Sequence, residues 1–166
     1  IFSDCIIANS SLTSYFLKRF LKISNLNNLK DVHVVNIGVD KKFKKIKRKK
    51  LQHPIKIGFV GRYSKRKRVE EVIKIGREIS KNFDVEIHIV SNIPSSLRKE
   101  IEKEKIFVLK ERINDNELVD FYNNLDFFIF PSLYEGFGLP ILESQRCGTP
   151  VVIYKDGLIP REVTKM

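Results

Sequence analysis

The sequence predicts an α/β protein: a Rossmann-like parallel sheet with helices on both faces. Short apolar runs rich in Val, Ile and Phe recur along the chain, and amphipathic stretches with helical spacing separate them. Strand followed by helix, repeated, makes neighbouring strands parallel, because each crossover returns the chain to the same edge of the sheet. At 166 residues and 42% hydrophobic, the chain has enough apolar side chain for the core of one ordinary domain.

In order, "CIIAN" (5–9) and "VHVVNI" (32–37) read as the first strands. "IKIGFVG" (55–61), "VEIHIVS" (85–91), "IFVLKE" (106–111), "DFFIFPS" (126–132) and "PVVIYK" (150–155) follow as the strands of the main sheet. Val69, Val72, Ile73, Gly76 and Ile79 recur at helical spacing between the third and fourth runs, and Leu118, Phe121, Tyr122 and Leu125 do so between the fifth and sixth. The segment "DKKFKKIKRKK" (40–50) has no usable period and reads as a solvated connector. The expected organisation is a strand–helix unit over 1–38, a basic linker over 39–54 and a Rossmann-like domain over 55–166.

A net charge of +11 favours an anionic partner. Lys, Ile and Asn are crowded, Ala8 is the only alanine and Trp is absent, so part of the basic excess reflects compositional bias. With Phe43 as the one aromatic in the basic run and no nucleic-acid motif, nucleic acid is the weaker partner, and peripheral contact with an anionic membrane surface stays open. Cys5 and Cys147 lack metal-type spacing, which points to reduced thiols, a cytoplasmic setting and no metal site. Cys147, next to Gly148, reads as a small buried side chain. His33, His53 and His88 show no paired spacing. No apolar run approaches the roughly 20 residues of a membrane span. The chain begins with Ile1 rather than Met, and the expectation is a fragment of something longer.

The chemistry concentrates in "PSLYEGFGLPILESQRCGTPVV" (131–152). Gly136 and Gly138 allow close backbone approach, and Pro140 suits the first turn of a helix. The amides of Phe137, Gly138 and Leu139 would then face an anion with a helix dipole behind them. Glu135 and Glu143 flank this turn and would repel phosphate, so they are expected to accept hydrogen bonds from hydroxyls. A ligand with phosphates in its middle and polyols at both ends meets both demands. The positive counterweight is expected from "GRYSKRK" (61–67), where Arg62 follows the strand and Gly61 directly; Lys65, Arg66, Lys67 and Arg68 read from composition alone as a solvated loop.

"GRYSKRK" resembles the G-R-x-S-x-x-K segment, and Glu135 with Glu143 the paired-glutamate motif, of the retaining GT-B glycosyltransferases of group 1, family 4-like. "DVHVVNIGVD" (31–40) is similar to that family's entry to its donor domain, and "LKERINDNELVDFYNNLDFFIFPS" (109–132) to its strand, loop, helix and strand. The similarity runs over essentially the whole chain. It implies the C-terminal, nucleotide-sugar-binding half of a GT-B fold and the transfer of a hexose. It further implies that Arg62 and Lys67 hold the donor diphosphate, Glu143 the ribose and Glu135 the transferred sugar. The amides of Phe137, Gly138 and Leu139 would hold sugar and distal phosphate, and Arg112 and Ile113 would flank the base. No metal or other cofactor is implied, because side-chain cations take the charge of the leaving group. Arg68 and Glu111 stand where the family commonly has glycine. "FSDCIIANSSLTSYFLKRF" (2–20) matches only the last strand and helix of the acceptor-binding domain, so that domain and the C-terminal return helix are expected to be missing and the chain inactive alone. The alternatives are a non-catalytic Rossmann-like module or fragment binding nucleic acid or anionic membrane, and another GT-B enzyme such as a sugar-nucleotide epimerase, against which "EGFGLP" with Glu143 argues.

Overall fold

The structure, a computed structural model, describes residues 5–24, 31–46 and 53–165. Its main sheet contains β3 (Ile55–Val60), β4 (Val85–Val90), β5 (Phe107–Lys110), β6 (Phe127–Phe130) and β7 (Val151–Ile153), in the spatial order β5-β4-β3-β6-β7. Every neighbouring pair is parallel. The helices between them are α2 (Val69–Ile79), α3 (Ser95–Ile101), α4 (Asp115–Asn124) and α5 (Leu139–Arg146), with α6 (Arg161–Thr164) after β7. Upstream, β1 (Ile6–Ala8), α1 (Ser11–Ile23) and β2 (Val32–Val34) form a separate two-stranded parallel ribbon with its helix.

Strand alternation sorts the core into two layers. Ile57, Phe59, Ile87, Ile89 and Ile129 join Val69, Val72 and Ile73 of α2 and Ile101 of α3. Phe128 and Phe130 point the other way, to Tyr122 of α4 and Leu125 just after it, and to Ile141 and Leu142 of α5. Both faces are therefore covered, which is why the strands read as continuous apolar runs.

Gly58 lets α4 lie close on β3. A Cβ there would fall 2.2 Å from Leu125 Cδ1 and 2.9 Å from Phe121 Cζ. The start of α4 is fixed by a capping box: Asn114 Oδ1 accepts from the amides of Asn116 and Glu117, both at 3.0 Å, and Glu117 Oε2 accepts from the Asn114 amide at 2.8 Å.

Three expectations need adjustment. The strand expected over 32–37 is paired only over Val32–Val34, and α3, with few apolar positions, gave no periodic signal. The basic run is not a uniformly solvated connector. Residues 40–46 form no helix or strand, yet Phe43 is 4% exposed and packs edge-on against Tyr122 at 6.1 Å. The Arg146 side chain donates to the Phe43 carbonyl at 3.1 Å, and Lys42 pairs with Asp115 at 2.5 Å. The rest of that run, 47–50, lies outside the described residues. The upstream ribbon, in contrast, leaves Ile7, Val34, Phe20 and Ile23 exposed.

Gly58→Ala is expected to destabilise the fold by about 1–3 kcal/mol through overpacking against buried Leu125. Urea denaturation checks it; an unchanged midpoint would show that α4 retreats from β3 without cost.

Candidate functional site

Because β3 and β6 are neighbours, their carboxyl ends deliver the loops 61–68 and 131–138 side by side. The Leu133 amide donates to the Arg66 carbonyl at 3.0 Å and stitches the two loops together. At this junction Glu135 Oε1 accepts from Lys67 Nζ at 2.8 Å and from Arg66 Nη1 at 2.6 Å. Arg66 Nη1 also donates to the Tyr134 carbonyl at 2.9 Å, and its guanidinium lies over the Tyr134 ring. Lys67 is 9% exposed, with Nζ 4.6 Å from the centre of the Phe130 ring.

Burial alone would push the Glu135 carboxyl up. The hydrogen bond and charge of Lys67, then the bond from Arg66, outweigh it and bring Glu135 below the ordinary glutamate range. Lys67 moves down as well, because burial and the nearby Arg66 charge outweigh its bond to Glu135. The two partners do not mirror each other: one carboxylate is shared by two cations, and only the carboxylate gains from both.

Beyond Glu135 the chain makes its turn at Gly138, whose φ of 100° is left-handed and open to glycine. Gly138 is the N-cap of α5, and Pro140 occupies its first turn. The amides of Phe137, Gly138 and Leu139 have no partner among the described residues. Glu143, in the second turn of α5, accepts from the Tyr122 hydroxyl at 2.9 Å. Its carboxyl is pushed up by burial first and further by the Asp115 charge, against the opposing effects of Tyr122 and Lys42. The hydroxyl of Tyr122, read from sequence as a core ring, is therefore part of the site.

Gly61, Arg62, Arg112 and Ile113 line one feature, a cavity of about 650 Å³ at the ends of β3, β4 and β5. Ser91 and Glu111 also line it. Arg62 is exposed, whereas Lys67 is engaged by Glu135, so the two cations expected to act together occupy different settings. Sequence reasoning missed Arg66, which it left in a solvated loop. The usable signal was Tyr134, an aromatic next to Glu135 able to stack a guanidinium.

Arg68, where the resembled family commonly has glycine, adopts φ 55° and ψ 48°, the left-handed conformation that glycine takes freely. Its guanidinium lies 4.4 Å from the centre of the Tyr154 ring and pairs with Glu71 at 3.8 Å. Those contacts offset the strain of a side chain at this position.

Residues 40–166 match the family described as Glycosyl transferases group 1. The chain belongs to that family. It is 28% identical over 137 residues to the MMP alpha-(1->4)-mannosyltransferase of Mycolicibacterium hassiacum, a match that covers 80% of this chain and 33% of the relative. Among solved structures it is similar to the C-terminal domain of the glycosyl transferase group 1 family protein LpcC from Francisella tularensis, with 26% identity, a TM-score of 0.60 and 70% of each chain covered. The pneumococcal O-GlcNAc transferase GtfA, solved in complex with UDP and GlcNAc, shares the fold at a TM-score of 0.71 and 19% identity, over 95% of this chain and 30% of that one. The chain spans less than half the length of the curated relatives it matches. Among the described residues, no helix is long and apolar enough to cross a membrane.

The two glutamates should respond oppositely to mutation. Glu135→Ala leaves Lys67 buried without its counter-charge and is expected to cost about 2–3 kcal/mol at pH 7. Glu143→Gln keeps the Tyr122 bond but removes a charge that burial disfavours, so its unfolding midpoint should rise. The signs carry into pH dependence. The Glu135 contribution is present above the ordinary glutamate value of about 4.3 and is lost as pH falls through its depressed value. The Glu143 carboxyl favours the fold only when protonated, so its contribution is present below that value and fades as pH rises. Urea titrations of both variants from acid to neutral pH check this; shifts of the same sign at pH 7 would contradict it.

Proposed function

We propose that this chain is the donor-binding part of a retaining glycosyltransferase that moves a hexose from a nucleoside diphosphate sugar to an acceptor. The observation that carries the reading is the convergence of Lys67, Arg66 and Glu135 at the β3–β6 junction, beside a turn whose amides are unengaged. In this reading the base and ribose occupy the cavity lined by Gly61, Arg62, Arg112 and Ile113, with Glu143 accepting from the ribose hydroxyls through the carboxylate that Tyr122 orients. Arg62 and Lys67 take the diphosphate. Glu135 holds Lys67 in place beforehand and then accepts from hydroxyls of the transferred sugar.

Transfer breaks the bond between the anomeric carbon and the diphosphate oxygen and forms one from that carbon to the acceptor oxygen on the same face of the sugar. The leaving oxygen keeps the electron pair and takes up the proton that the acceptor hydroxyl loses, while the charge that develops on the diphosphate falls on the cations and the amides of Phe137, Gly138 and Leu139. Those groups neutralise the diphosphate, so the reading includes metal independence. Acceptor binding and turnover are assigned to a further domain, in keeping with the greater length of the relatives, and the setting is the cytoplasm. The unengaged amides and the paired glutamates favour this over a polyanion-binding module, for which two carboxylates at the site would be a handicap.

Glu143→Gln should weaken nucleoside diphosphate binding by about 1.5–3 kcal/mol, while reversing the charges of Lys44 and Lys45 should leave it within about 0.5 kcal/mol. Titration calorimetry with UDP, GDP and ADP, each with and without chelator, checks both and the metal independence. Unchanged affinity in Glu143→Gln removes the ribose assignment, and binding that requires added Mg²⁺ removes the cation assignment. Random-oligonucleotide binding lost only in the Lys44 and Lys45 variant would favour the polyanion module instead.

A further inference from the structure

The N-terminal end of α1 grips the glycine turn from outside the main domain. Ser10, the N-cap of α1, is 0% exposed, and its Oγ donates to the Gly136 carbonyl at 2.6 Å while accepting from the Thr13 amide at 3.0 Å. Thr13 Oγ1 donates to the same carbonyl at 3.0 Å. One residue further, the amide of Ser11 reaches Glu162 Oε1 at 2.7 Å, so the helix start is also tied to α6. Two hydroxyls on one carbonyl occupy both its lone pairs and fix its direction.

That carbonyl belongs to the same planar peptide unit as the Phe137 N–H, which in a trans peptide points the opposite way. Fixing one end therefore aims the other. The constraint matters here because Gly136 bounds the unit on one side, and glycine leaves a peptide plane freer to turn. With the carbonyl held toward α1, the Phe137 N–H faces away from it, and that amide has no partner among the described residues. Hydrogen bonds received by a carbonyl also polarise its own peptide, strengthening the N–H as a donor.

We propose that Ser10 and Thr13 are positioning residues for the donor: they lock the Gly136–Phe137 peptide so that its N–H is presented to the donor's phosphate or sugar oxygen. The proposal rests on the donor-binding reading above. It also makes the upstream β1–α1–β2 unit part of the donor site without any side chain of that unit touching the donor, so movement of this unit is felt as a change in donor affinity.

Thr13→Val removes one hydroxyl at constant shape, and Ser10→Gly removes the other while keeping a residue tolerated at a helix N-cap. Each variant is titrated with UDP, GDP and ADP and with the matching nucleosides, and thermal unfolding is followed alongside. Each should bind the nucleoside diphosphate about three- to tenfold more weakly than the parent, with nucleoside affinity within about twofold, and Thr13→Ser should restore parental binding. Equal losses for diphosphate and nucleoside would mean a loosened fold and overturn the proposal, as would unchanged diphosphate affinity in both variants. If the parent binds none of the three diphosphates, the donor-binding reading fails and this proposal with it; parental binding with insensitive variants overturns this proposal alone.

Discussion

Keeping a lysine charged while nearly covered by protein is the constraint around which this structure is organised. An ammonium removed from water is costly unless a counter-charge and further hydrogen bonds stand within reach. Glu135 supplies the counter-charge, the Phe130 ring lies against Lys67, and Arg66 bonds the same Glu135 oxygen as Lys67. None of these contacts is local in sequence: Lys67 and Glu135 are 68 positions apart. They depend on β3 and β6 being adjacent, and on loops 61–68 and 131–138 being stitched at Arg66 and Leu133.

That adjacency is itself a packing result. In the order β5-β4-β3-β6-β7 the chain fills one side of β3 first and then crosses to the other, so the crevice opens where the order reverses, between the ends of β3 and β6. The crossover helix α4 can pass closely over β3 because Gly58 carries no side chain, and Leu125 and Phe121 occupy that space. Tyr122 of the same helix then reaches α5, where its hydroxyl bonds Glu143. Core packing and the site thus share a helix: what α4 gains by lying low on the sheet also sets where the Glu143 carboxylate is held.

The fold was largely legible because burial on both faces leaves an unbroken apolar signature, as in "IKIGFVG" and "DFFIFPS". The helix α3 was not, since "SSLRKEI" buries chiefly Ile101 and Leu97 and shows no repeating stripe. Within the site, the glycine turn and the paired glutamates could be found by local chemistry. Arg66 could not be separated from its charged neighbours, because a run of cations has no period and only the fold decides which one meets Glu135. Phe43 was hidden the same way, a single apolar residue in a basic run that is nonetheless anchored in the core. The Ser10 and Thr13 contacts span more than 120 residues, and no local pattern marks them.

The two-stranded ribbon has a consequence for handling the protein. A parallel pair this short, with Ile7 and Val34 exposed on it and Phe20 and Ile23 on its helix, offers an edge unpaired among the described residues and an apolar surface to any neighbouring molecule. What opposes self-association is the net charge of +11, which keeps molecules apart through repulsion that salt screens over a Debye length of about 10 Å at 0.1 M. Colloidal stability is therefore set by ionic strength: dilute buffer keeps the chains dispersed, and concentrated salt brings the ribbons into contact.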